Sequence, residues 1–398
     1  MWGVPTLQDE RAFYDNVLSW ARTSSDESFD SRWPNPPDAG FSNLHADSEG
    51  DDLWTWDHQN KRYQTSFTQA WRDDWLAWQK STLVSRLNST DGDSAPSGFG
   101  YDHIYGQGLA VVYHDTNDPG ILPVFSGLRT ILENRPRYQQ IAAGNSISMS
   151  QYESRGPARW AIVACYVAEA TGDPAWITIR DNLLDGWMNS DDWEAGGAIA
   201  AGGNYFASSE QSTYTSGSGG TAAYNTGRRF QSAFSAGLHT EALWRGFLAT
   251  GRVDIRDRLV QIAQYIRHYA HDPAWTYPNC GARFGHNGDG SRFHISGGNG
   301  SANNAGADCS YDLSIVNSQV IGYKLTGDQS YLQFARTLFK RGISFDQGSP
   351  FPRLAPDGQV FKFIDTQGIG GNNYFAFNKG ALQYVYLVLE NGGNPSVM

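Results

Sequence analysis

The sequence predicts an all-α chain. It reads as one (α/α) toroid spanning residues 1–398, a complete or incomplete ring of about six helical hairpins with long loops at one end. Three observations predict it. A phrase recurs at intervals of roughly 50–80 residues: a helix rich in small residues, a Thr-Gly-Asp-type turn, then an amphipathic helix. The second helix of each phrase carries one apolar stripe, whereas the first is apolar nearly all round. The returns from each phrase to the next are long and polar, and identical hairpin sense puts them all at one end.

The elements follow in order. A helix is expected over Leu7–Ala21, able to serve as the outer partner of the last inner helix, and a longer one over Tyr63–Leu87. The phrase begins at Ala110 and returns at Ala161, Glu241 and Ser318, with a half-copy from Ala381. In each copy glycine suits the left-handed residue that ends a helix, and aspartate suits the cap of the next. Ile255, Leu259, Ile262, Ala263 and Ile266 fall at helical spacing, with arginine and aspartate opposite, and Leu332, Ala335, Leu338 and Phe339 repeat the pattern. These are outer helices with one wet face. The runs from Arg159 and from Ala381 are inner helices packed on both sides. The long returns are Asn189–Thr226, Asp272–Cys309 and Gln347–Phe375, with room for a small β-hairpin.

Composition narrows the function. A net charge of −11 opposes nucleic-acid binding, and the longest apolar run is too short to cross a membrane. The N-terminus has no basic region followed by an apolar stretch. Any signal peptide is therefore expected to have been cleaved or to lie outside this sequence, and the protein to be secreted or periplasmic. Aromatic residues make up 14%, with 14 tryptophans, and flat aromatic faces stack on sugar rings. No cofactor is expected, and no Cys/His pair has metal-ligand spacing. Cys280 and Cys309 bracket a Gly-rich loop and are expected to pair, while Cys165 sits in an apolar helix as a free thiol.

Candidate chemistry gathers where the chain enters its inner helices. Tyr101, Asp102, His103, Tyr105 and Gln107 enter the first, and Tyr152, Glu153, Arg155 and Arg159 the second. Tyr224, Asn225, Arg228 and Arg229 enter the third, and Asp308, Tyr311, Asp312 and Asn317 the fourth. Asn372, Asn373, Tyr374 and Lys379 enter the last, and the loop Asp272–Cys309 adds Arg283, His286, Arg292 and His294. A local excess of arginine, tyrosine, histidine and asparagine in an acidic chain points to an anionic ligand, since arginine forks onto carboxylates. The pattern fits β-elimination on a uronic-acid polysaccharide. Neutralising the carboxylate acidifies the neighbouring C5 proton, a His or Tyr takes it, and a Tyr protonates the departing oxygen. His103, Tyr152, Arg155, Tyr224 and Arg228 are the candidate catalytic set. Tyr101, Tyr105, Asn225, Arg229, His286, Arg292, His294, Asn372, Asn373 and Tyr374 are the candidate substrate-binding set.

In its Thr-Gly-Asp turns, one-ended loops and Tyr/His/Arg/Asn helix entries, the chain resembles the α/α-toroid polysaccharide lyases, the group acting on alginate, glucuronan and related uronates. Asn372, Asn373 and Tyr374 echo the Asn-Asn-His-Ser-Tyr-Trp stretch of the alginate lyases of this shape, without its histidine. The resemblance implies a metal-free Tyr/His pair beside an Arg or Asn that neutralises the uronate. Two other readings stand beside it. A glycoside hydrolase on the same ring would use two carboxylates from Asp102, Asp191, Asp192, Glu194, Asp308 and Asp312, with Ser190-Asp191-Asp192-Trp193 the best local candidate. A glycan-binding module would keep the aromatic cleft without proton-transfer groups.

Overall fold

The computed structural model describes residues 69–90, 104, 106–147, 151–190, 229–270, 281–286, 292–296, 313–343, 384 and 387–388. These residues are predominantly helical. Helix α1 spans Gln69–Thr90, α2 Gln107–Thr116, α3 Leu122–Glu133, α4 Pro136–Ala142, α5 Gln151–Thr171 and α6 Pro174–Met188. Strand β1, Arg229–Ser232, runs straight into α7, Ala233–Thr250, and α8 covers Val253–Tyr269. Strands β2, Gly281–His286, and β3, Arg292–Ser296, precede α9, Leu313–Thr326, and α10, Ser330–Ile343. The expected helix at Leu7–Ala21 and the expected Cys280–Cys309 pair lie outside the described residues.

Four hairpins result: α2 with α3, α5 with α6, α7 with α8, and α9 with α10. The turn inside each is made by the same local chemistry. Thr116, Thr171, Thr250 and Thr326 each donate their hydroxyl to the carbonyl four residues back, at 2.7 Å. Each hydroxyl also accepts from the backbone N–H two residues on. The residue after each threonine is left-handed: Asn117 at φ 51°, Gly172 and Gly251 at 65°, Gly327 at 74°. Asp118, Asp173 and Asp328 then cap the next helical segment through a backbone N–H two residues on. The third copy has Arg252 in that place and no side-chain cap.

The first helices of the hairpins stand side by side, each against the next. Their register is fixed by close contacts. An added Cβ on Gly237 of α7 would lie 2.3 Å from the Ser314 carbonyl oxygen of α9. The Arg245 guanidinium of α7 lies 4.4 Å from the centre of the Tyr166 ring of α5. Both stand five residues before the threonine that ends their helix, 166 to 171 and 245 to 250. Glu241 and Asn317, joined at 3.4 Å, both stand nine residues before theirs, 241 to 250 and 317 to 326. Helices matched in this way are parallel and level. The Thr171, Thr250 and Thr326 turns therefore share one end of the row, and the helix starts share the other.

The inner helices are buried almost all round. From Gly156 to Cys165 and from Leu313 to Gly322 every residue is buried. The outer helices bury one stripe: Ile255, Leu259, Ile262, Ala263, Tyr265, Ile266 and Tyr269 on α8, and Leu332, Ala335, Leu338 and Phe339 on α10. Ion pairs link each outer helix to the next turn, Arg129 to Asp173, Asp185 to Arg252, and Arg267 to Asp328. All three are partly exposed and contribute little each. Tyr384, from the half-copy near the C-terminus, packs its ring on Phe339 of α10 at 5.3 Å. Helix α4 and a 3-10 turn at Pro119–Ile121 were not anticipated. Both begin at a proline, which suits the first position of a helix.

The strands form one antiparallel sheet in the order β1-β2-β3. The small β-hairpin expected in the long loops is thus present, formed by β2 and β3 between Asp272 and Cys309, and β1 extends it by a third strand.

The close approach at Gly237 gives a direct test. Gly237→Ala is expected to lower unfolding free energy by about 1–3 kcal/mol, because a backbone carbonyl cannot yield as a side chain does. Urea unfolding measures it. Unchanged stability would contradict the packing of α7 on α9.

Candidate functional site

The described candidate residues lie on the sheet and in the opening turns of α5. Strand β1 leads into the first turn of α7, and Phe284 of β2 packs on Tyr265 near the end of α8, with ring centres 6.3 Å apart. The sheet is therefore seated over the start of α7 and the last turns of α8. Phe284 is fully buried and anchors it.

Four of the expected substrate-binding residues lie on this sheet. Arg229 of β1 is in register with His286 of β2, and His286 with Arg292 of β3. One row thus crosses all three strands. Two residues along, Gln231, Phe284 and His294 form the next row. Arg283 pairs with Ser232 and with Ile295 beside an irregularity in β2. Tyr152 and Arg155 lie in the opening turns of α5, at the same end as β1 because α5 and α7 are level. Pro157 cannot donate to the carbonyl four residues back, so those opening turns hold to the rest of α5 by one hydrogen bond fewer. Tyr101, His103, Tyr105, Tyr224, Asn225, Arg228, Asn372, Asn373 and Tyr374 lie outside the described residues. So do Asp102, Asp191, Asp192, Glu194, Asp308 and Asp312.

Sequence reasoning missed a polar seam between the inner helices. Glu241 of α7 accepts from Arg245 Nε at 3.0 Å and from Asn317 Nδ2 of α9 at 3.4 Å. Arg245 in turn lies over Tyr166 of α5. The seam ties three inner helices together: Tyr166, Arg245, Glu241, Asn317. Glu241 is the one carboxylate among the described residues that is buried. Burial works against the charged Arg245 guanidinium, but the Tyr166 ring and the hydrogen-bonded Glu241 carboxylate beside it outweigh that and hold its pKa above the usual range. The signal was available, since Glu241 and Arg245 stand at the i,i+4 spacing of a helical ion pair. On α9, Ser314, Asn317, Ser318 and Gln319 are all buried, and the Gln319 amide donates to the Ala263 carbonyl of α8 at 3.1 Å.

Below the sheet, His239 of α7 stacks on Trp187 of α6, with ring centres 4.6 Å apart. Burial pushes its pKa down to about 3. This contact ties the end of α6 to the opening turns of α7. Ser190, two residues past Met188, is itself buried. Cys165 is a free, buried thiol whose pKa burial raises to about 12, which leaves it inert near neutral pH. Among the described residues no group of three His, Cys, Asp or Glu is placed to hold a metal ion, and no helix is long and apolar enough to cross a membrane.

No family model matches the chain, and no curated protein matches it. Among solved structures it is similar to one described as a glycoside hydrolase, at 11% identity and a TM-score of 0.45. That likeness covers 96% of this chain and 59% of the other, so this chain spans less than two thirds of that one's length. A likeness of this size assigns neither a fold family nor an activity.

His239 sets a pH dependence with a definite sign. Its folded pKa, about 3, lies below the ordinary 6.5, so the unfolded state binds the extra proton. Its contribution is complete above 6.5 and is lost as pH falls from there toward about 3. The loss approaches about 1.4 kcal/mol per pH unit. Urea unfolding at about pH 7 and about pH 5 should show a smaller acid loss for His239→Phe than for the parent. Equal losses would mean that His239 is not held neutral by the fold.

Proposed function

We propose that the chain is a carbohydrate-active enzyme, an (α/α) toroid that cleaves a polysaccharide at the end where its inner helices begin. The observation that carries this reading is the row Arg229, His286 and Arg292 across the sheet, level with the opening turns of α5 that hold Tyr152 and Arg155. Arginine and histidine concentrated at one end of a chain of net charge −11 favour an anionic ligand. A chain with 14 tryptophans and 20 tyrosines has the flat aromatic surface that sugar rings stack on. A polymer of this kind is met outside the cell, which agrees with a secreted or periplasmic location.

In the elimination reading, Arg155 or Arg228 holds the uronate carboxylate and so stabilises the enolate-like intermediate. His103, Tyr152 or Tyr224 removes the C5 proton, and a tyrosine returns a proton to the departing glycosidic oxygen. Hydrolysis is the second reading. Its support is in the sequence, where Asp191 and Asp192 follow directly on the buried Ser190 past α6. Two carboxylates there would act as acid and as base or nucleophile.

One assay separates the outcomes. The protein is incubated with alginate, glucuronan, pectate and neutral glucans, and ultraviolet absorbance of unsaturated uronates is followed beside new reducing ends. Growth of both signals is expected for elimination, and reducing ends alone for hydrolysis. Neither signal on any polymer would overturn the enzyme reading. Arg155→Ala and Arg228→Ala are each expected to lower elimination by about 10²–10³. Full activity in both would remove them from the mechanism, and loss confined to Asp191→Asn or Asp192→Asn would establish hydrolysis.

A further inference from the structure

The triplet Asn88-Ser89-Thr90 closes α1. Asparagine, any residue but proline, then serine or threonine is the acceptor signal for N-linked oligosaccharide in secreted chains. One other such triplet occurs in the sequence, Asn299-Gly300-Ser301, and it lies outside the described residues. An attached oligosaccharide is large and hydrated, so a folded chain can carry it only on a wet surface. Helix α1 has one wet stripe. Ala77, Ser81 and Ser85 are exposed at four-residue steps, whereas Leu83 and Leu87 are buried in the core. Position 88 stands seven residues after Ser81 and three after Ser85, the two spacings that return to one stripe of an α-helix. The exposed members of that stripe are small, so they leave room for a sugar beside them. Asparagine and threonine disfavour helix interiors, and here both stand in the last turn.

We infer that Asn88 is an N-glycosylation site, filled as the chain enters a eukaryotic secretory compartment. This assignment rests on the secreted location and is independent of the reaction catalysed. The donor is an oligosaccharide joined to a lipid through a diphosphate. The side-chain amide nitrogen of Asn88 forms a bond to the anomeric carbon of the first sugar. The bond from that carbon to the diphosphate oxygen breaks, the lipid diphosphate leaves with the bonding electrons, and the amide gives up one proton. No oxidant or reductant takes part.

The test uses the full chain, translated behind a cleavable leader into endoplasmic-reticulum microsomes. Protection from added protease confirms translocation. Peptide-N-glycosidase in heavy-oxygen water then converts each glycosylated asparagine to an aspartate that carries the heavy oxygen. Mass spectrometry of the peptide spanning position 88 is expected to find that label in the parent chain. It should be absent from N88Q and from T90A, and kept in T90S, whose hydroxyl preserves the signal. A translocated chain left unmodified at Asn88 overturns the site, as does a T90A chain that keeps the label. A chain that is not translocated overturns the location on which the site rests. N88Q and T90A should cleave any polymer that the parent cleaves at an unchanged rate, because α1 holds no candidate site residue. Absence of cleavage by the parent therefore bears on the enzyme reading alone.

Discussion

The level, parallel stacking of the inner helices is the constraint on which the rest of this structure depends. It is set where α7 and α9 come closest, at Gly237 against the Ser314 carbonyl, and by the seam from Tyr166 through Arg245 and Glu241 to Asn317. Sliding one helix by a single residue would separate Glu241 from Asn317 and drive side chains into the Gly237 contact. Because the helices are level, every threonine turn falls at one end. The opening turns of α5 and the start of α7, with the strand that leads into it, fall at the other.

The seam is an unusual choice for a helical core. Burying a carboxylate and a guanidinium costs much of what their attraction returns, and an apolar replacement is often as stable. What polar partners add is selectivity, since an apolar stripe tolerates sliding and a hydrogen-bonded pair does not. In this chain the seam joins three consecutive hairpins, whose outer helices reach the next turn through partly exposed ion pairs, Asp185–Arg252 and Arg267–Asp328. The level ends needed for a site assembled from several hairpins are thereby specified from within.

Much of the fold was legible because its signals are local. Thr171, Gly172 and Asp173 form their turn through bonds spanning at most four residues, and the stripe of α8 is a simple period. The sheet was less so. A hairpin between β2 and β3 is a short-range matter, but β1 pairs with β2 across more than fifty residues of chain, which no local pattern reveals. The row Arg229, His286 and Arg292 depends on that pairing. Each residue could be listed from the sequence, yet their alignment could not. The buried polar residues of α9 were hidden for another reason. Ser314, Asn317 and Gln319 look like a wet face until three neighbouring helices surround them. Glu241 and Arg245 showed their spacing openly, and only the burial that gives the pair its importance was invisible.

The central claim is that ligand is met at the sheet and helix-start end and not at the turns. Hydrogen–deuterium exchange of the full chain, with and without the acidic oligosaccharide it binds most tightly, tests it most directly. The account predicts slowed exchange in β1, β2 and β3 and in the opening turns of α5 and α7. Exchange around the Thr171, Thr250 and Thr326 turns should be unchanged. Protection confined to those turns, or none anywhere, would contradict it.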